Sequence, residues 1–387
     1  MKKILLLFAF AFLMVMLFAS YDNSLKEKTV GAEYLSENKS KAELLYDAKS
    51  GTVIYEKNSS ERLPIASMTK LASLMLVFDA IEEGKIKEDD LIKISKHSAE
   101  TEGSSAFLDE KSEYKISDLI MTVIVCSAND STVALAEAVS GSEENFVKLM
   151  NDKVKDMGLK NTNFINSTGL PAVDHYSSAY DISKIYSKIC DNKIYKKYSK
   201  IWMTELVHPS GRKTEVVNTN RLIKTYEGCD SGKTGFTNDA GYCLASSATR
   251  NGMRLIGVVI GAKDSKTRFK EMTKLFNYGF DNYENKVVID QCKPLKKIDI
   301  KNAKTKEIEV YSAKDYVKFL KKGEKFEYSL SYKIDKEKAP FKSGDIIGRL
   351  YVLENNIVVH EEDLIVRDDV QKIKIKDILN KIYKEII

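Results

Sequence analysis

The chain has 387 residues, 43% hydrophobic and 30% charged, a length for about two domains and a composition that excludes a disordered or many-span membrane chain. Lys and Arg number 61 against 56 Asp and Glu, and the net charge of +5 is too small and too interspersed to indicate a nucleic-acid partner. Five cysteines without CxxC spacing and four histidines without HExxH argue against a disulfide framework, a structural zinc site or a zinc peptidase; no metal or cofactor is expected.

Met1-Lys2-Lys3, the apolar run Ile4 to Ala19 and the small pair Ala19-Ser20 read as a secretory signal over residues 1–20. The run is shorter than the ~20 residues of a membrane span, and no lipoprotein cysteine follows it. The protein is thus expected outside the cytoplasmic membrane. Residues 21–40 are polar and read as a linker. Glu43–Asp47 and Thr52–Lys57 flank Lys49-Ser50-Gly51 as a β-hairpin. Leu71, Leu74, Met75, Phe78 and Ile81 recur at helical spacing over 67–83, and Gly84 ends that helix. Helical patterns continue over 116–160, with breaks at Gly141 and Gly158, and over 181–198. Tyr242–Ala248 and Met253–Ile260 form a hairpin through Asn251-Gly252, and a helix follows over Phe269–Phe280. With strands at both ends and helices between, residues 41–283 suggest an α/β layered domain whose terminal strands share one sheet.

After residue 284, Lys297–Ile300, Glu307–Tyr311, Phe326–Tyr332 and Ile346–Val352 alternate between Gly, Asn and Lys clusters, the pattern of a small antiparallel β domain over 284–369. Residues 370–387 read as an amphipathic helix. Ile375, Ile378, Leu379, Ile382, Tyr383 and Ile386 share a face, and Lys372, Lys374, Lys376, Lys381 and Lys384 make the other cationic. Such a helix suits an anionic membrane surface, its stripe being too interrupted to span a bilayer. Packing of that stripe on the β domain is the alternative.

Three motifs carry chemistry. Ser67-Met68-Thr69-Lys70 opens the first helix, so Ser67 and Lys70 at i and i+3 lie on one face. A serine needs a base within hydrogen-bond reach, and a lysine can be that base when burial lowers its pKa. Ser127-Ala128-Asn129 follows an apolar helix and alone would read as a cap. Lys233-Thr234-Gly235 offers a cation and a hydroxyl to a carboxylate, with a glycine that lets a backbone approach. Gly228-Cys229-Asp230-Ser231-Gly232-Lys233-Thr234 looks like a phosphate-binding loop but has one residue too few between its glycines, and strand-like sequence follows it. No GxSxG elbow is present. His97, His175, His208 and His360 read as surface or core residues, and Cys126 as a small buried one.

In this order SxxK, SxN and KTG are the signature of the penicillin-recognising serine enzymes. The flanks Arg62-Leu63-Pro64-Ile65-Ala66, Asp130, Phe236-Thr237 and Ala240-Gly241-Tyr242, with Thr168-Gly169-Leu170 and Tyr176-Ser177-Ser178-Ala179, resemble the low-molecular-mass penicillin-binding proteins, the D-alanyl-D-alanine carboxypeptidases. The resemblance implies a β-lactamase/transpeptidase-like α/β (α+β) catalytic domain, its antiparallel sheet flanked by helices, followed by a small all-β domain and the terminal helix. It implies that Ser67 attacks the carbonyl between two terminal D-alanines of a peptidoglycan stem peptide, with Lys70 taking its proton and Ser127 relaying one to the leaving amine. Asn129 would hold the substrate amide and Lys70; Lys233, Thr234 and Arg268 would engage the terminal carboxylate. The N–H groups of Ser67 and Phe236, beside Gly235, would form the oxyanion hole. β-lactams would be inhibitors, and the site of action the outer face of the bacterial cytoplasmic membrane. A class A β-lactamase would need an ExxLN-type loop, which Glu143-Glu144-Asn145-Phe146 does not fit. A catalytically silent wall scaffold would not need every motif residue.

Overall fold

Strands β1 (Ala42–Asp47) and β2 (Val53–Lys57) form the first hairpin in the computed structural model, which describes residues 35–377. A 3-10 turn over Ala66–Thr69 leads into α1 (Lys70–Glu82). Nine of the thirteen residues of α1 are buried, as an almost uniformly apolar helix requires, and Gly84 at φ +73° ends it. Next come β3 (Leu91–Lys93), α2 (Lys96–Ala99), β4 (Glu113–Lys115) and the apolar α3 (Ile116–Val125). Helix α4 (Asn129–Ser140) stops at Gly141 with φ +81°. The side chains of Ser142, Ser178 and Asn192 accept backbone N–H groups at the starts of α5 (Glu143–Asp156), α6 (Ala179–Ile189) and α7 (Lys193–Ser199). After β5 (Met203–Val207), β6 (Lys213–Val217) and α8 (Leu222–Thr225) come three long strands, β7 (Cys229–Thr237), β8 (Gly241–Arg250) and β9 (Met253–Ala262), and then α9 (Ser265–Asn282).

The strands build an antiparallel sheet in the order β2-β1-β9-β8-β7, so the two ends of this unit share one sheet. Side-chain alternation divides it. Ile256, Val258 and Ile260 join the main core with residues of α1, α3 and α6, whereas Gly257 meets Met272 and Phe276 of α9. The sheet is thereby layered between α9 and the other helices, with β7 on an edge.

Several expectations are corrected. Ser67 lies in the 3-10 turn, and the α-helix starts only at Lys70, because Ala66 turns the chain at φ +48°. The pattern over 116–160 breaks additionally at 126–128, where Ser127 takes φ +66°. The helix over 181–198 is two helices, divided where Asn192 caps the second. The tether is shorter than expected, for Leu35, Asn38 and Ser40 are buried. Lys39 N–H and Ser40 Oγ both donate to Glu271 of α9, beside the buried Glu43. Burial, and then the neighbouring Glu271, raise the Glu43 carboxyl to about 7 against the pull of Asn38.

The chain divides into two compact units at Asp281 and Asn282. In the second, β10 (Tyr283–Ile289) pairs with β13 (Tyr316–Lys321), and β11 (Lys296–Asp299), β12 (Glu307–Ser312), β14 (Ser329–Ile334), β15 (Ile346–Glu354) and β16 (Ile357–Ile365) form an antiparallel sheet in the order β11-β12-β16-β15-β14. Val310, Leu320, Phe326, Ile347, Leu350, Val352 and Leu364 make its core. The C-terminal helix does not begin at 370. Val370 and Lys372 bridge to Phe341 and Ala303, and Ile373 N–H donates to Asn302 O. Residues 378–387, most of that expected helix, and the signal at 1–20 lie outside the described residues.

Candidate active site

The turn that carries Ser67 is gripped on three sides. Ala66 precedes it at φ +48°, a conformation costly for a residue with a Cβ. Thr69 Oγ1 donates to Ala66 O at 2.9 Å. A Cβ at Gly169 (φ +85°) would overlap the Ala66 carbonyl, and one at Gly235 would lie 2.8 Å from Ile65 O and 3.1 Å from Ser67 N. Gly235 thus lets β7 reach the serine turn, a role beyond the substrate approach expected of it. Its position sets the Lys-Thr-Gly strand directly beside the Ser67 N–H.

Lys70 is fully buried. Its Nζ lies 2.9 Å from Ser67 Oγ and donates to Thr168 O at 2.7 Å. Burial, and then the nearby Lys233 ammonium, hold it well below the ordinary lysine range. Lys233 is also fully buried, and its Nζ donates to Ser127 Oγ at 2.7 Å and to Thr234 O at 2.9 Å. Burial, with a further contribution from Arg268, lowers it to about 7 against the opposing pull of Cys126. Burial thus disfavours the protonated form of Lys70. One N–H goes to Thr168 O, and Ser67 Oγ lies within hydrogen-bond reach of the same nitrogen.

Ser127 closes the other side from the break between α3 and α4. Asn129 Nδ2 donates to Glu102 O at 2.5 Å, and its Oδ1 is buried without a hydrogen-bond partner. Lys70 is held by Thr168 rather than by Asn129, which corrects that part of the expectation. Cys126 Sγ donates to Thr122 O at 3.2 Å, and burial pushes its thiol up to about 11, so it is no nucleophile. All five cysteines are free.

Thr234 is buried on β7. Phe236, 51% exposed, rests on its cross-strand partner Tyr242 with ring centroids 4.4 Å apart. Arg268 of α9 is 6% exposed; it donates to Gly235 O and Cys243 O, both at 3.2 Å, while its Nε is buried without a partner. It is fastened to the backbone of β7 and β8, and burial lowers it to about 10. All nine candidate residues fall on the 3-10 turn, α1, the break before α4, the first residue of α4, β7 and α9.

Four neighbours escaped the sequence reading. Asp130 accepts Ser105 Oγ at 2.6 Å and the N–H groups of Ala106 and Leu108, both at 3.1 Å, pinning the segment that also supplies Glu102 O. Thr168 contributes only its carbonyl. Glu143 accepts Ser167 N–H at 2.9 Å and Ser167 Oγ at 2.6 Å, so it fastens the loop at Thr168. His175 Nε2 lies 2.8 Å from Thr69 Oγ1. Adjacency in the Asp130 and Thr168 motifs hinted at the first two; no spacing marks Glu143 or His175.

Residues 26–264 match the family described as D-alanyl-D-alanine carboxypeptidase, and residues 283–372 the penicillin-binding protein 5 C-terminal domain. Penicillin-binding protein 5 from Haemophilus influenzae superposes with a TM-score of 0.68 at 32% identity, covering 86% of this chain and 98% of that one. The fold is therefore that of the penicillin-binding proteins, serine hydrolases that act on peptidoglycan outside the cytoplasm and bind β-lactams. The chain is 37% identical over 340 residues to D-alanyl-D-alanine carboxypeptidase DacF of Bacillus subtilis (strain 168), covering 87% of each. It is 34% identical over 337 residues to DacA of H. influenzae, covering 84% of each. The chain belongs to the D-alanyl-D-alanine carboxypeptidase family.

Proposed function

We propose that Ser67 is the nucleophile that removes the terminal D-alanine from pentapeptide stems. The reading rests on one observation above all: the Lys70 amine, whose protonated form burial disfavours, lies 2.9 Å from Ser67 Oγ. Ser67 Oγ bonds to the carbonyl carbon between the two D-alanines as its proton passes to Lys70. The N–H groups of Ser67 and Phe236 stabilise the oxyanion; removing one such donor typically costs ~10²–10³ in turnover. Ser127, polarised by Lys233, gives a proton to the leaving D-alanine amine as the peptide bond breaks, and the proton taken up by Lys70 restores the Ser127 hydroxyl. Water then cleaves the ester by the reverse proton path. Asn129 Oδ1 accepts a substrate N–H, and Thr234, Lys233 and Arg268 form the cationic and hydroxyl side that takes the terminal carboxylate.

Fluorescent penicillin and a peptide ending in D-Ala-D-Ala test this together. A stable adduct mapped to Ser67, with D-alanine release, is expected. Rapid turnover of the penicillin would instead mark a β-lactamase, and an adduct elsewhere would overturn the assignment.

We infer further that the chain works at the outer face of the cytoplasmic membrane through its C-terminal residues. Ile375, 77% exposed, begins the apolar stripe beyond the last bridge to the β unit at Lys372. No helix among the described residues is long and apolar enough to cross a membrane. With residues 1–20 removed, the chain should sediment with anionic vesicles, and one ended after Ile373 should not. Equal binding by both would exclude the helix as the anchor.

A further inference from the structure

His175 is 7% exposed, and its two ring nitrogens make bonds that fix a direction. Nδ1 accepts the backbone N–H of Ile165 at 3.1 Å, so the proton of the neutral ring is on Nε2. Nε2, 2.8 Å from Thr69 Oγ1, therefore donates to that hydroxyl. Thr69 in turn gives its own hydrogen to Ala66 O at 2.9 Å. The chain of donors runs one way, from Ile165 N–H through the imidazole and the hydroxyl to the Ala66 carbonyl. The ring also meets Phe164 edge-on at 5.8 Å, which sets its plane. Burial and then Lys70 lower it to about 4, so it stays neutral where the enzyme works.

The carbonyl at the end of this chain belongs to the residue held at φ +48°. A non-glycine residue keeps such a conformation only where its surroundings over-determine it. Ala66 C=O and Ser67 N–H share one rigid peptide plane and point oppositely. Whatever fixes the carbonyl fixes the N–H.

We propose that His175 is a positioning residue for acylation: acting through Thr69, it locks the Ala66–Ser67 peptide plane so that the Ser67 N–H and hydroxyl meet the substrate carbonyl together. The proposal rests on Ser67 being the nucleophile. Neutral imidazole is used here as an oriented donor, and it exchanges no proton with substrate.

The full chain carrying His175→Phe, His175→Gln, Thr69→Val, or His175→Phe with Thr69→Val tests this, through the rate of acylation by fluorescent penicillin and through kcat and KM on a D-Ala-D-Ala peptide. His175→Phe should acylate roughly 10–100-fold slower, the loss falling on kcat with KM nearly unchanged. His175→Gln, whose amide N–H can reach Thr69, should recover most of that rate. The double variant should be no slower than the slower single one, since both cut the same chain. Undiminished acylation by His175→Phe, a Gln variant as slow as Phe, or losses that multiply would each overturn the proposal. Should His175→Phe fail to fold, Thr69→Val decides alone, and wild-type acylation by it overturns the proposal. Adduct mapping separates the two readings: an adduct away from Ser67 refutes the nucleophile, whereas an adduct on Ser67 formed at unchanged rate refutes only the positioning.

Discussion

Among the described residues, the first unit buries Lys70, Lys233, Arg268, Glu43, Asp47, Asp130, Asp181 and Glu271, whereas Ser312 is the one buried polar side chain of the second. Along β14 of the β unit exposed and half-buried positions take turns, which keeps Lys333 in solvent. Burying charge is costly unless it is fully paired. The catalytic unit pairs Asp130 with backbone donors but sets two lysines near each other with only neutral partners. Fold stability alone gives no reason for that, and the contrast locates the chemistry without reference to any motif.

Four changes test how far the contrast holds, beginning with the largest. Ser67→Ala should abolish both penicillin labelling and D-alanine release while leaving the thermal transition in place, because the hydroxyl alone makes the covalent bond. Lys70→Arg should acylate about 10²–10⁴-fold more slowly, since guanidinium stays protonated; near-normal acylation would reduce Lys70 to an electrostatic partner. Thr234→Val should slow processing of free-acid peptides about tenfold more than that of C-terminally amidated ones, losing a charge-assisted hydrogen bond made only to the acid; equal losses would make Thr234 structural. Val358→Ser, at a residue 51% exposed on β16, should shift stability by less than about 0.5 kcal/mol and leave acylation unchanged.

The pH dependence sharpens the same contrast because activity and stability should move oppositely. Lys233, lowered to about 7, loses its proton as pH rises through that value, so kcat/KM on free-acid peptides should decline above pH 7. In the unfolded chain the same lysine keeps its proton to about pH 10. The unfolded state therefore binds more protons above pH 7, and stability should rise with pH there, Lys70 adding to the slope. The window ends near pH 9, where buried thiols such as Cys243, raised to about 11, begin to act the other way. Urea titrations of wild type and Lys233→Met between pH 7 and 8.5 read this directly: the variant should show the flatter slope, and identical slopes would contradict the depressed lysine.

Much of the site was legible because its three motifs carry chemistry that few other spacings can supply. The hairpin at Asn251-Gly252 and the helix ends at Gly84 and Gly141 were legible from turn chemistry that acts locally. The missed features depend on partners far away in sequence. Nothing in Cys229–Thr237 alternates, and two of its residues are glycine; it is a strand because β8 pairs with it residue by residue. Strands β10, β13 and β16 are rich in charge, and their pairing likewise comes from distant strands. The 3-10 turn at Ser67 exists because Gly169, Gly235 and Thr69 crowd it. His175 reaches the site across 106 residues, a distance that no local pattern encodes.

The crowding at Gly235 and Gly169 also bears on how such a target can drift under antibiotic pressure. A side chain at either position would displace the serine turn itself and disable turnover along with β-lactam capture. Changes that separate the drug from the natural peptide must then arise where side chains are free to vary. Phe236 is such a place: its ring, half in solvent against Tyr242, answers to no packing demand deeper in the fold.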